Sequence, residues 1–240
     1  IEEGKRKVLA NLDKAIGICV QPGSGNDPQA KCCIAVVKVG AQMYGSPGSG
    51  WTCHVYKIPR LPSSSDPSVY RDDFSGPGCP GTEGMSWARP GRGDGLADGY
   101  RNLCLFKTVH PDDLKQGALG DCWLASAFAA MAEFPDAVRS LFDKKHISPD
   151  GKYTITLYSF ERKAMVPIQI DDRLPCEQGR CAFTHVTYSG EIWPCLLEKA
   201  FAKLSNGYGN LEGGTPNFAF GALTGCTNLL NIQRHSDGRW

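Results

Sequence analysis

The chain has 240 residues, with 26 Lys plus Arg against 25 Asp plus Glu and a formal net charge of +1. That length carries a hydrophobic core without disulfide or metal staples, and so even a charge balance gives no electrostatic reason to expect nucleic acid as a partner. No apolar run reaches the roughly 20 residues of a membrane span, and the opening IEEGKRKVLANL lacks a secretory pattern, so the chain reads as soluble, with proteins or small molecules as partners.

In chain order, residues 32–45 (CCIAVVKVGAQMYG) and 51–61 (WTCHVYKIPRL) are strand-like runs separated by SPGSG, which predicts a hairpin. Residues 62–99 are dense in Pro, Gly, Ser and Asp, with no apolar period, and read as an irregular connector lying over the surface or over the next domain. The tripeptide Arg92-Gly93-Asp94 within it is an adhesion-type motif, which any Gly-rich loop produces by chance. A helix follows Asp121, a good N-cap, with Leu124, Phe128 and Met131 at helical spacing and Trp123, Ala127 and Phe134 beside them; Pro135 and Asp136 interrupt it. YTITLYSF and KAMVPIQIDDRLP predict a second hairpin over 153–175, with Pro167 marking an edge or bulge. A second helix has Pro194 in its first turn, an apolar stripe of Leu196, Leu197, Ala200, Phe201 and Leu204, and a stop at Gly207.

The 11 cysteines are odd in number, and no CxxC occurs. Cys32, Cys33, Cys53 and His54 are a poor match to tetrahedral metal spacing, so reduced, mostly buried thiols in an intracellular protein are the simpler reading. Cys122 differs, because QGALGDCW puts it at the first turn of a helix. There, unpaired backbone N–H groups and the positive end of the helix dipole favour a thiolate. Gly117 and Gly120 would let backbone come close to a substrate. The Gln116 amide and the Cys122 N–H would make an oxyanion hole for acyl transfer.

QGALGDCW resembles the nucleophile motif of the calpain family of calcium-dependent cysteine peptidases. Similar family segments follow in order: WARP at 87–90, IDDRLP at 170–175, GEIWPCLLEKAFAKLSNGYGNLEGG at 190–214 and GALTGC at 221–226. The resemblance implies an α+β fold, the calpain N-terminal lobe of a papain-like protease. It would have a central helix headed by Cys122, a second core helix and a small antiparallel sheet. It implies a domain over 85–240, with 1–84 as a strand- and loop-rich extension.

By position it makes Cys122 the nucleophile, Gln116 the oxyanion-hole donor, and Trp123, Gly213 and Gly214 the substrate-binding residues. The glycine loop would pair with an extended peptide. Asp113 and Glu191 fall at the family's acidic calcium ligands, with loop carbonyls near Val109 completing the site. The family's catalytic histidine and asparagine lie in a second lobe downstream, whose motifs this chain lacks. Of His54, His110, His146, His185 and His235, only His185 matches a family position, and that one is structural.

The reading is therefore the nucleophile-bearing part of a calcium-dependent cytoplasmic endopeptidase, feeble as an isolated chain, whose second lobe is expected from a longer parent. The alternative is a non-catalytic interaction or scaffold module, docking on proteins such as those of the cytoskeleton.

Overall fold

A computed structural model describes residues 61–92, 94, 96 and 103–228, together with the backbone of three strands nearer the N-terminus. Its contacts divide the chain into two units, Ile1–Arg60 and Leu61–Trp240.

In the first unit, strands β1 (Ile16–Gln21), β2 (Cys33–Lys38) and β3 (Thr52–Tyr56) form an antiparallel sheet in the order β2-β1-β3. Both expected runs are strands, but they do not form a hairpin with each other. IGICVQ lies between them and pairs with Cys33–Lys38 on one edge and Thr52–Tyr56 on the other. A strand has two hydrogen-bonding edges, and the turn-like SPGSG gave no sign that both runs would use the same central partner. The side chains of Cys32, Cys33, Cys53 and His54 lie outside the described residues.

The second unit is α+β. Strand β4 (Ser86–Ala88) pairs with β7 (Leu174–Glu177), which pairs with β8 (Arg180–Cys181), while β5 (Lys152–Ser159) and β6 (Ala164–Asp171) form the expected hairpin. Along β5 the alternation is strict, so Tyr153, Ile155 and Leu157 all point into the core. Among the described residues the unit has four α-helices: α1 (Cys122–Ala132), α2 (Pro135–Ser140), α3 (Trp193–Leu204) and α4 (Pro216–Thr224).

Helix α3 is the core's axis. Leu196, Leu197, Ala200 and Phe201 of its apolar stripe are buried and Leu204 partly so, and Phe201 meets Phe128 of α1 edge-on at 5.5 Å between ring centroids. Each such large side chain contributes about 1.5–3 kcal/mol by leaving water. Residues 193–202 of α3 are all buried, Glu198 and Lys199 included. Phe134, expected beside the α1 stripe, is 69% exposed, because the chain breaks at Pro135 and Phe134 becomes the residue entering α2.

The irregular connector belongs to this second unit. It is tied down by buried charges at the β6–β7 junction rather than by apolar periodicity. The Asp171 carboxylate accepts from the Asp72 N–H at 2.9 Å, the Ser75 hydroxyl at 2.8 Å, Lys199 Nζ at 2.5 Å and Arg173 Nε at 2.6 Å. Its neighbour Asp172 takes Arg89 and, at 2.9 Å, Arg92 Nε. Arg92 of the adhesion-type tripeptide is therefore a buried ion-pair partner, and Gly93 lies outside the described residues.

Candidate active site

Helix α1 begins at Cys122, whose side chain is exposed and free. Asp121 occupies the N-cap position but makes no side-chain capping bond. Its carboxylate instead turns back to accept Gln116 Nε2 at 3.2 Å, and the same amide donates to the Leu119 carbonyl at 2.8 Å. Both amide protons of Gln116 are thus engaged inside the loop that leads to Cys122.

That loop is seated on the segment before α3. Ala118 N–H donates to the Ala182 carbonyl, and His185 N–H to the Lys115 carbonyl. A Cβ at Gly117 would sit 1.9 Å from the Phe183 carbonyl oxygen. The close approach that requires glycine there is to the chain itself and not to a substrate.

The two-glycine loop meets the helix start from the other side. Gly213 N–H donates to the Gly120 carbonyl at 3.0 Å. Gly214 lies flat on the Trp123 indole, where an added Cβ would come within 2.4 Å of the ring. Trp123 is held in turn by its Nε1 donating to the Leu211 carbonyl at 2.9 Å. The structure therefore gathers Gln116, Cys122, Trp123, Gly213 and Gly214 at one end of α1. Among the described residues the Gly214 N–H and the Gly213 carbonyl have no partner, so they are open to an extended chain.

Behind the nucleophile lies a group that the sequence did not single out. Glu198 of α3 is buried against Asp121 and accepts from the N–H and hydroxyl of Thr184. Burial pushes the Glu198 carboxyl well up, and the neighbouring Asp121 carboxylate pushes it further. Burial likewise raises Asp121. Two carboxyls in contact without a cation share a proton. LLEKAF gave no hint of this, since a Glu at that spacing on a helix reads as a surface residue.

Asp113 and Glu191 come onto one loop. Glu191 is fully buried and accepts the backbone N–H groups of Lys107 at 2.5 Å and Val109 at 3.1 Å. Asp113 accepts the His110 N–H at 2.8 Å and Trp193 Nε1 at 3.4 Å. The carbonyls of Lys107 and Thr108 face Arg139, at 3.2 and 3.3 Å. The carboxylates suit a hard cation, but the loop presents N–H groups to Glu191 and offers its carbonyls to a guanidinium. A cation held by both carboxylates would need this loop to turn its carbonyls toward them. Among the described residues no group of three or more His, Cys, Asp or Glu that could hold a metal comes together.

His110 is engaged with Asp112, and no histidine hydrogen-bonds to Cys122 among the described residues. Among those residues, too, no helix is long and apolar enough to cross a membrane.

An α+β unit whose central helix is headed by an exposed cysteine is the architecture of a cysteine-protease domain. A family model described as calpain family cysteine protease matches residues 65–237, and the chain belongs to that family. It is 32% identical to calpain-8 of Rattus norvegicus over 177 residues, 71% of this chain and 24% of that protein. It is 33% identical to the calpain-2 catalytic subunit of Gallus gallus over 172 residues, again 71% and 24%. With a calpain of Schistosoma mansoni the identity is 39% over 128 residues, 51% of this chain and 17% of that one. The chain spans about a quarter of the length of the first of these relatives.

Proposed function

We propose that this chain is the nucleophile-bearing lobe of a calcium-regulated cytoplasmic cysteine endopeptidase that acts on protein substrates. One observation carries the reading: an exposed Cys122 opens α1 between the Gln116 loop and the Gly213–Gly214 loop.

In this reading the Cys122 thiolate attacks the carbonyl carbon of a peptide bond held along Gly213 and Gly214. As the C–S bond forms, an electron pair moves onto the carbonyl oxygen. That oxyanion is met by the Cys122 N–H and by the Gln116 amide, rotated off the Leu119 carbonyl. The C–N bond breaks as the leaving amine takes a proton from a histidine, and water then releases the acyl group. The histidine and its orienting partner belong to a second lobe. Without them turnover falls on the order of 10⁴- to 10⁶-fold. Asp113 and Glu191 are the residues that would hold calcium, and no chemical step runs through it.

The test is labelling of the full-length gene product with an epoxide-type cysteine-protease probe, with and without calcium. Calcium-dependent labelling at Cys122, lost in Cys122→Ser, is expected. The 240-residue chain alone should release no more peptide from casein than its Cys122→Ser variant. A second reading, a non-catalytic docking module for cytoskeletal or other proteins, draws on the engaged Gln116 amide and on the lack, among the described residues, of a histidine bonded to Cys122. Absence of labelling at every calcium level would favour it.

A further inference from the structure

A groove of about 630 Å³ opens between the β5–β6 hairpin and helices α3 and α4. Val166, Ile168 and Leu204 form its floor, and the rings of Phe160 and Phe218 form its wall. Those two aromatics remain 38% and 39% exposed, although both are held in place by packing. Phe160 stacks on Phe218 at 4.9 Å and meets Tyr158 edge-on at 5.3 Å. Its ring reaches so close to α4 that a Cβ at Gly221 would lie 2.4 Å from Cζ. The wall is therefore a fixed surface.

The wall also packs on the ring that lies beneath the glycine loop. Gly214 rests on Trp123, whose ring centroid is 6.0 Å from that of Phe218. The groove lining carries Glu161 and Arg162, of opposite sign, and Lys203, whose charge is paired with the Asp72 carboxylate, so it favours neither a cationic nor an anionic guest. Pro167 of β6 lines it as well and has no N–H to offer an added strand, so recognition falls to a side chain rather than to backbone pairing.

We propose that this aromatic-walled groove is a distal substrate subsite, taking one bulky apolar side chain of an extended peptide that runs along Gly213 and Gly214. The inference rests on the peptidase reading for the direction of the peptide, and on the aromatic path from Trp123 for its address.

The test uses the Cys122→Ser chain and fluorescein-labelled octapeptides of Ser and Ala carrying a single Phe stepped through each position, with dissociation constants from anisotropy. Phe at one position should bind about tenfold or more tighter than Ala, and Phe218→Ser should abolish that gain. A benzoylphenylalanine at the same position should cross-link to residues 160–169 or to Phe218, which keeps the proposal testable should Phe218→Ser fold poorly. Equal affinity for all positions, a preference that survives Phe218→Ser, or cross-links elsewhere would overturn it. So would sedimentation showing a dimer that Phe218→Ser converts to monomer, since the groove would then be an interface between copies. A positional preference without any epoxide labelling of Cys122 in the full-length protein would sink the peptidase reading and leave the groove standing. Labelling without a preference would do the reverse.

Discussion

Gly214 has no side chain because the Trp123 indole fills the space one would occupy. Gly214→Ala must push the loop off the ring or the ring off the Leu211 carbonyl. Overpacking of this kind costs about 1–3 kcal/mol. Urea unfolding followed by tryptophan fluorescence should show that loss, and an unchanged midpoint would mean that the loop yields freely. A different residue-scale effect concerns Glu198, which faces Asp121, Thr184, Cys195 and Tyr208. Its folded pKa lies above the ordinary 4.5, raised first by burial and then by Asp121. Its contribution is therefore full below that value and is lost as pH rises toward the folded one. Glu198→Gln keeps the shape and can still accept from Thr184, but it does not titrate. Melting temperatures from pH 5 to 8 should fall for the native chain and stay flatter for the variant; parallel curves would count against a shared proton. The place of Cys122 at a helix start was legible from local context, whereas the burial of Glu198 was not, because its partner lies in another element.

At the scale of elements, the loop over 106–113 holds Glu191 through N–H groups, while Arg139 takes its carbonyls. A cation bound to Asp113 and Glu191 would have to turn that loop, and Trp193 would report it, since its Nε1 donates to Asp113. Millimolar calcium should therefore change tryptophan emission in the chain but not in Trp193→Phe or Glu191→Gln. No change would mean that the N–H groups keep Glu191. The elements themselves were read unevenly. Helix α1, helix α3 and the β5–β6 hairpin carry strong periods over eight or more residues, and each stands where expected. Strand β1 was missed, and with it the pairing, since which strands pair is a long-range choice that a single run does not reveal.

Across the whole second unit, one buried ionic cluster joins the connector, the β6–β7 junction and α3. Burial would raise the Asp171 carboxyl, but Lys199, with the Asp72 N–H and Arg173, holds it down to about 2. A folded pKa below the unfolded one gives stability that is present above about 4 and lost as pH falls toward 2, worth about 2 kcal/mol. Lys199→Met strips Asp171 of its fully buried cation and should destabilise the chain by about 3–5 kcal/mol at pH 7. In urea unfolding, the gap between variant and native chain should narrow from pH 7 to pH 3. A gap that stays constant would show that the pair is not what holds the connector.

The sequence by itself determined the family and the principal elements: a cysteine at a helix start, a glutamine six residues before it, a two-glycine loop and the α+β order of the protease domain. These signals are local, carried by short motifs and by periods of two or 3.6 residues. Only the tertiary structure decided where Glu198, Glu191, Asp171 and Lys199 go, and that an aperiodic connector is part of the domain. Those placements join residues as far as 131 positions apart, as between Lys203 and Asp72. A charge on a helix reads as a surface residue until the fold brings it a buried partner, because burial without one would be too costly.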